Sequence, residues 1–444
     1  MAALSIIRLS GKDAIRICNK VFHPGKLNEK ESHTVHFGTI RDGDETIDDV
    51  LVSVFRSPDS YTGEDIAEIS CHGSPYIRQQ ILALLIKEGA RLAKPGEFTM
   101  RAFLSGKYDL LQAEAVADLI ASGSETAHKI AMRQMRGGFS KEIKALREEL
   151  VKFASLIELE LDFSEEDVEF ADRKEMVALV QHISEVIVKL INSFKMGNVI
   201  KNGIPVVIAG KPNAGKSTLL NALLNEERAI VSEIPGTTRD IIEDTINIEG
   251  ISFRFTDTAG IQDSSNRIEA MGVKRALEKI RDASVVIYLF DVTTSAAEKL
   301  TAGISELEKE LEESGAEVML VGNKCDIADM GGLKEQFSVF EDIIYISAKE
   351  KQGVAELKKA LLGKVQTGNV AEGDTILTNA RHLEALSHAN ESMQSVLHGL
   401  KESVSGDLLA VDIRKALHHL AEITGEVVTE DILDAIFSRF CIGK

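Results

Sequence analysis

Residues 210–217 read GKPNAGKS. The octapeptide fills the pattern GxxxxGK[S/T]. It follows the apolar run 204–209, IPVVIA, and precedes 218–224, TLLNALL. A strand, a glycine-rich turn and a helix in that order make a phosphate cradle. Gly210 and Gly215 let the backbone turn so that N–H groups converge on phosphate, and the helix adds the positive end of its dipole. Lys216 supplies a point charge for the β- and γ-phosphates, and the Ser217 hydroxyl is the expected Mg²⁺ ligand.

Outward from the cradle, 204 to 364 alternates apolar runs with helical segments. The runs are IPVVIAG, FRFTDTAG, VVIYLFD, EVMLVGNK and DIIYISA. That alternation predicts βα units and a mostly parallel sheet. DTAG at 257–260 closes one run, so Asp257 is set to hold Mg²⁺ through water and Gly260 to approach the γ-phosphate. PGTTRD at 235–240 is a polar loop that places Thr237 and Thr238 where a threonine can complete the magnesium shell. NKCD at 323–326 closes another run. There Asp326 accepts from the N1–H and the exocyclic amine of guanine, a pattern adenine cannot match. SAK at 347–349 follows the next run, with backbone in reach of the guanine carbonyl.

This ordered set resembles the G domain of translation-factor-type GTPases. It predicts nucleotide contacts from Asn213, Ala214, Gly215, Lys216, Ser217 and Thr218. Ser232, Glu233, Ile234, Pro235, Gly236, Thr237 and Thr238 follow, then Asp257, Thr258, Ala259 and Gly260. Asn323, Lys324, Asp326, Ser347, Ala348 and Lys349 complete the set. Where many GTPases carry a water-orienting glutamine after the DTAG glycine, this chain has Ile261, which cannot orient water. Gln262, Asp263 and Glu269 in QDSSNRIE are the nearby alternatives. The P-loop also lacks an obvious arginine for transition-state charge, and Asn213 has an oxygen suited to a small monovalent cation.

GKPNAGKSTLLNALL, PGTTRD, YTGEDIAEISCHGS at 61–74, KPGEFTMRAFLSGKYDLLQAEAVADLI at 94–120 and the terminal CIGK are similar to the tRNA modification GTPase family MnmE (TrmE). The resemblance covers nearly the whole chain. It implies an N-terminal α+β dimerisation and folate-binding domain over 1–105 and an all-α domain in two parts, 106–201 and 365–444. A Ras-like P-loop GTPase domain is inserted between them at 202–364. It implies K⁺ in place of an arginine finger, held by Asn213, Ser232, Ile234 and Thr237. Glu269 then orients the attacking water, and Arg239 falls in the mobile switch. It also implies 5-formyltetrahydrofolate as one-carbon donor, held by Arg8, Glu68, Lys107 and Lys444, with Cys441 as a candidate nucleophile or acid/base.

The implied assembly is a homodimer working with a flavoprotein partner, MnmG (GidA), on C5 of the wobble uridine of certain tRNAs. Ahead of ALSIIRLSG the family has a further strand and a Gly-rich loop, where this sequence starts at Met1. The G domain by itself fits a second reading equally, a GTP-switched ribosome- or RNA-assembly factor without modification chemistry. FCIGK and the 61–120 motifs favour the first.

The bulk numbers agree with an ordinary globular chain of several domains: 444 residues, 44% apolar, 27% charged. A formal charge of −19 argues against a general nucleic-acid coat. The four cysteines, Cys18, Cys71, Cys325 and Cys441, are far apart and form no CxxC pair, as in reduced cytosolic proteins. The run VVIYLF is too short to cross a bilayer, and no signal peptide is evident, so a cytoplasmic protein is expected. Cys71 and His72 are neighbours on a strand-like run and so face opposite ways, which argues against a dyad. Thr429 is the expected N-cap of a last helix whose Ile432, Leu433, Ile436, Phe437 and Phe440 share a face.

Overall fold

The structure, a computed structural model, describes residues 2–162, 173–225, 243–257, 281, 283–311, 316–340, 342–364, 375–402, 404–438, 440 and 443. The chain divides into two compact units. One comprises 1–121, 130–191 and 380–444; the other comprises 122–129 and 192–379.

The first unit opens with β1 (Leu4–Ser10), β2 (Phe22–His23), β3 (Thr34–Asp42), β4 (Glu45–Phe55) and β5 (Ile66–His72). They form an antiparallel sheet in the order β1-β5-β4-β3-β2. In the second half of β4 every second residue is apolar, so Val50, Val52 and Val54 turn to one face. The helices Ala14–Val21 and Pro75–Lys87 cover that face, with Ile15, Cys18, Ile81 and Leu85 in the shared core. The other face carries apolar side chains into the open: Phe37 stands opposite Leu51, and Ile6 shares Ser70 as its neighbour with Leu51.

The same unit contains the helices Leu110–Ala121, Gly138–Asp162, Ala380–Lys401, Gly406–Thr424 and Glu430–Phe437. A buried acid ties three of them. Glu114 accepts from Arg381 Nε at 3.0 Å, and His382 Nε2 lies 2.6 Å from its other oxygen. Arg381 also donates to the carbonyl oxygens of Glu422 and Ile423, ending the helix Gly406–Thr424. Burial pushes the Glu114 carboxyl up, but His382 and Arg381 outweigh it and hold the pKa at about 2. A carboxylate taken out of water persists only when so compensated.

Arg173–Asn202 is long and apolar enough to cross a membrane by length and composition, as core helices of soluble proteins also are. Its apolar residues come at three- and four-residue spacing, so a search for unbroken runs passes over it. Met176, Val180, Ile183, Ile187 and Leu190 form the buried stripe.

The second unit is built on β6 (Ile204–Ala209), β7 (Glu243–Ile248), β8 (Ile251–Asp257), β9 (Val285–Asp291), β10 (Glu317–Asn323) and β11 (Ile344–Ile346). The order is β11-β10-β9-β6-β8-β7, and every pair is parallel except β7 with β8. Phe253 and Phe255 of β8 are fully buried. Each such side chain contributes roughly 1.5–3 kcal/mol through removal from water. The chain runs from β6 to one side for β7 and β8, then to the other for β9, β10 and β11. That reversal leaves a crevice at the carboxyl end of β6, where open α/β sheets bind ligands.

Candidate functional site

The loop after β6 fills that crevice. Gly210 has φ +148, and a Cβ there would come within 2.1 Å of the Leu289 carbonyl oxygen on β9. Gly215 has φ +99, and its Cβ would lie 2.3 Å from Asn323 Nδ2. Only glycine leaves room for the loop to pass between β9 and the end of β10. Asn213 adopts a left-handed φ of 65, which its short amide side chain tolerates, and its side chain is exposed. The helix Lys216–Asn225 starts directly on the loop. Lys216 is buried, and its ammonium donates to the carbonyl oxygens of Gly210 at 2.9 Å and Lys211 at 3.1 Å. Ser217 and Thr218 are exposed in the first helical turn.

The strand ends bring the other motifs alongside. In register, Asp257 pairs with Ile208 and Asn323 pairs with both Asp291 and Ile346. Asn323 is buried and joins two loops. Its Nδ2 donates to the Ala214 carbonyl at 2.8 Å, and its Oδ1 accepts from the Ala348 N–H at 3.0 Å. Lys324 is in the left-handed region and places its ammonium 2.6 Å from Asp291 Oδ2. Burial pushes the Asp291 carboxyl up, but Lys324 and Thr293 outweigh it and keep it below its ordinary value. Asp326 lies exposed in the short turn Cys325–Ile327. Ser347 and Ala348 are buried, while Lys349 is exposed beside Glu350. The P-loop, the NKCD turn and the SAK turn therefore meet at one end of the sheet.

Ser232, Glu233, Ile234, Pro235, Gly236, Thr237, Thr238, Arg239, Thr258, Ala259, Gly260, Glu269, Cys441 and Lys444 lie outside the described residues. For Asp257 only the backbone is described. Among the described residues, no group of three or more His, Cys, Asp or Glu side chains is placed to hold a metal ion. A cation at the P-loop would depend on hydroxyl, amide and phosphate oxygens. The Ser217 hydroxyl, next to the buried Lys216, suits that donor set.

The N-terminal residues gather in the first unit. Arg8 and Glu68 are cross-strand partners, and Arg8 Nε donates to Glu68 Oε1 at 2.7 Å. The guanidinium also lies over the rings of Tyr61 and Phe98, 5.2 and 5.5 Å from their centroids. Lys107 is exposed next to Tyr108, whose ring packs edge-on against Tyr61. Cys71 is buried and donates to the Ser5 carbonyl, whereas His72 is exposed and paired with Asp48. Strand alternation separates the two, and burial raises the thiol pKa.

Beside β1 is a cavity of about 770 Å³. Arg8, Phe98, Arg101 and, from the far end of the chain, Gly443 are among its lining residues. Glu97 organises one wall. It is paired with Arg91 and with Arg101, accepts from the Lys94 N–H at 2.8 Å, and has its pKa lowered to about 2, chiefly by Arg91. The tail is brought here by close packing. Gly96 has φ +68, and a Cβ on it would lie 2.6 Å from the Phe437 carbonyl. Phe437 and Phe440 share a core cluster with Leu110 and Ala113. Thr429 caps the last helix by accepting from the Ile432 N–H.

Tyr61, Phe98, Glu97 and Asp291 were not legible as site residues from the sequence. Tyr61, Glu97 and Phe98 sit inside quoted motifs, which was the available signal. Asp291 had none beyond ending an apolar run.

A family model for the GTP-binding protein TrmE N-terminus matches residues 1–107, and one for the MnmE helical domain matches residues 110–441. The tRNA modification GTPases MnmE of Cytophaga hutchinsonii, Flavobacterium johnsoniae and Bacteroides fragilis are 55%, 54% and 51% identical. Each alignment covers 100% of this chain, and 95%, 96% and 97% of the respective relatives. Among solved structures, a point variant of Aquifex aeolicus Era bound to GDP.AlF4- is 28% identical over 43% of this chain and 66% of that one, with a TM-score of 0.29. The G domain of the T. maritima FeoB iron transporter is 24% identical over 37% of this chain and 99% of its own, at 0.27.

Proposed function

The chain belongs to the tRNA modification GTPase family MnmE, as a GTP-hydrolysing enzyme of tRNA modification, and from that premise we propose how its two sites divide the work. The GTPase is activated by potassium. With a flavoprotein partner, it adds a carboxymethylaminomethyl or aminomethyl group at C5 of the wobble uridine of certain tRNAs, in the cytoplasm. The one-carbon unit comes from 5-formyltetrahydrofolate. The domain limits proposed are 1–105, 106–201, 202–364 and 365–444.

At the nucleotide site, Lys216 turns from the loop carbonyls to the β- and γ-phosphates. Asp326 accepts the guanine donors, while Asn323 keeps the two loops together. Thr218, Glu233, Pro235, Gly236, Thr258, Ala259, Gly260, Ser347, Ala348 and Lys349 complete the nucleotide contacts. Mg²⁺ held through Ser217, Thr238 and Asp257, and K⁺ held by Asn213, Ser232, Ile234 and Thr237, supply positive charge where a GTPase otherwise uses an arginine. Glu269 positions the attacking water, with Arg239 in the moving switch.

At the N-terminal site, the Arg8–Glu68 pair between aromatic rings suits a flat pterin, whose amide and amine donors a carboxylate accepts. Lys107 and Lys444 take the glutamate end of the folate, and Cys441 is the nucleophile or acid/base. The apolar face of Ile6, Phe37 and Leu51 is the surface on which a second copy of the chain pairs.

One observation carries this reading: Gly443, between the tail's cysteine and its last lysine, lines the same cavity as Arg8. A tail aimed there has no use in a simple GTP-switched assembly factor. Calorimetry with 5-formyltetrahydrofolate tests it. Binding that is lost in Arg8→Ala supports the reading, and no heat with the unaltered chain refutes it.

A further inference from the structure

We propose that the cavity beside β1 selects a one-carbon donor whose tail carries several linked carboxylates, with Lys12 and Arg78 as the pair that takes the extra charge. The inference rests on the folate reading and extends it from the donor's ring to the length of its tail.

The chain has a net charge of −19, yet this cavity is lined by five cations against two carboxylates. A positive concavity on an acidic protein concentrates anions there and nowhere near as well elsewhere. Three of the cations are committed. Arg8 is bound to Glu68, and Arg91 and Arg101 are bound to Glu97. Of the two carboxylates, Glu97 is taken up by those arginines and Asp13 accepts from Arg16. Lys12 and Arg78 remain. Both line the cavity and both are exposed, and among the described residues neither side chain holds a hydrogen bond or an ion pair.

Their positions fit a tail more than a ring. Lys12 follows the end of β1 at the mouth of the helix Ala14–Val21. Arg78 stands one helical turn before Leu82, which lines the same cavity, so the wall grades from apolar to cationic along one helix face. The committed, partly buried charges and the aromatic rings suit a defined headgroup. Flexible exposed cations suit a run of carboxylates with no fixed spacing.

Each exposed ion pair strengthens binding by up to about fivefold. The two carboxylates of a single glutamate are taken by Lys107 and Lys444, so only a longer tail has carboxylates left for Lys12 and Arg78. The preference for the longer tail is then roughly tenfold at low salt and fades as salt screens the contacts.

Titration calorimetry on the full chain compares 5-formyltetrahydrofolate bearing one glutamate with the same compound bearing several, at low and high salt. Lys12→Ala, Arg78→Ala and the double variant are measured beside Lys12→Arg, which keeps the charge. The expected result is tighter binding of the longer tail, a ratio that falls towards one in the double variant and at high salt, and a ratio retained in Lys12→Arg. Equal affinity for the two tails, or a preference that survives the double variant, overturns the proposal. Failure of both compounds to bind overturns the folate reading itself, and the tail proposal with it.

Discussion

Replacing Asn323 by alanine removes a side chain that joins the P-loop to the SAK turn. The Ala214 carbonyl loses its 2.8 Å donor and the Ala348 N–H loses its 3.0 Å acceptor. Both residues are almost fully buried, at 2% and 3% exposure, so water does not freely replace the lost partners. Each orphaned buried group costs about 1–3 kcal/mol, and with partial relaxation the pair costs about 2–4 kcal/mol. If the loops drift apart in the free protein without further harm, that penalty falls on nucleotide affinity. It then corresponds to a loss of roughly 30- to 700-fold. If the free protein keeps the loops together, the penalty appears in unfolding instead. Titration with a fluorescent GDP analogue, with thermal unfolding of the free and bound forms, separates the two. Asn323→Asp is the stringent companion: it keeps an acceptor for Ala348 but sets a carboxylate against the Ala214 carbonyl, so it should bind no better than the alanine variant. Affinity within about twofold of the unaltered chain, with unchanged melting, would refute the bridging role.

Glu114 gives a pH test. Its carboxyl pKa is about 2 in the fold, below the ordinary 4.5, so its stabilisation is present above about pH 4.5 and lost as pH falls towards 2. Glu114→Gln should therefore lower stability by a few kcal/mol at neutral pH, and chemical unfolding should find the difference shrinking over that acid window. Gly96→Ala forces a side chain into a left-handed backbone against Phe437. It should cost at least about 1–2 kcal/mol in thermal unfolding and reduce tRNA modification more than GTP turnover. GTP turnover should be low in Na⁺ and rise strongly in K⁺, by up to about 10³-fold if the cation matches an arginine finger. In single-turnover assays Glu269→Ala should abolish most of that rate.

Much of the second unit was legible because its strands are buried on both faces and read as unbroken apolar runs: β6, β9 and β10 are of this kind. β7, EDTINI, was not, because an antiparallel edge strand beginning on two acids carries no such run. In the first unit β1 and β4 show in the sequence, while β3, TVHFGTIRD, mixes His, Gly and Arg into its alternation and escapes a simple pattern. The P-loop, NKCD and SAK motifs were readable since each is contiguous. Their cooperation was not. Asn323 meets Ala214 across 109 positions and Lys324 meets Asp291 across 33, distances that only the folded sheet closes. The same holds for Gly96, whose reason is a carbonyl on Phe437, and for Glu97, which links Arg91 and Arg101 around a cavity no linear motif describes.

On the proposed function, GTP hydrolysis and uridine modification are separate chemistries joined in one chain, the second depending on the tail whose Gly443 lines the N-terminal cavity. The most direct measurement is nucleoside analysis of tRNA from cells in which Cys441→Ser replaces the chain, alongside GTP turnover of the purified variant. The account predicts wobble uridines lacking the C5 group while GTP turnover stays near that of the unaltered protein. Fully modified uridines, or a loss of GTP turnover in step with the modification, would contradict it.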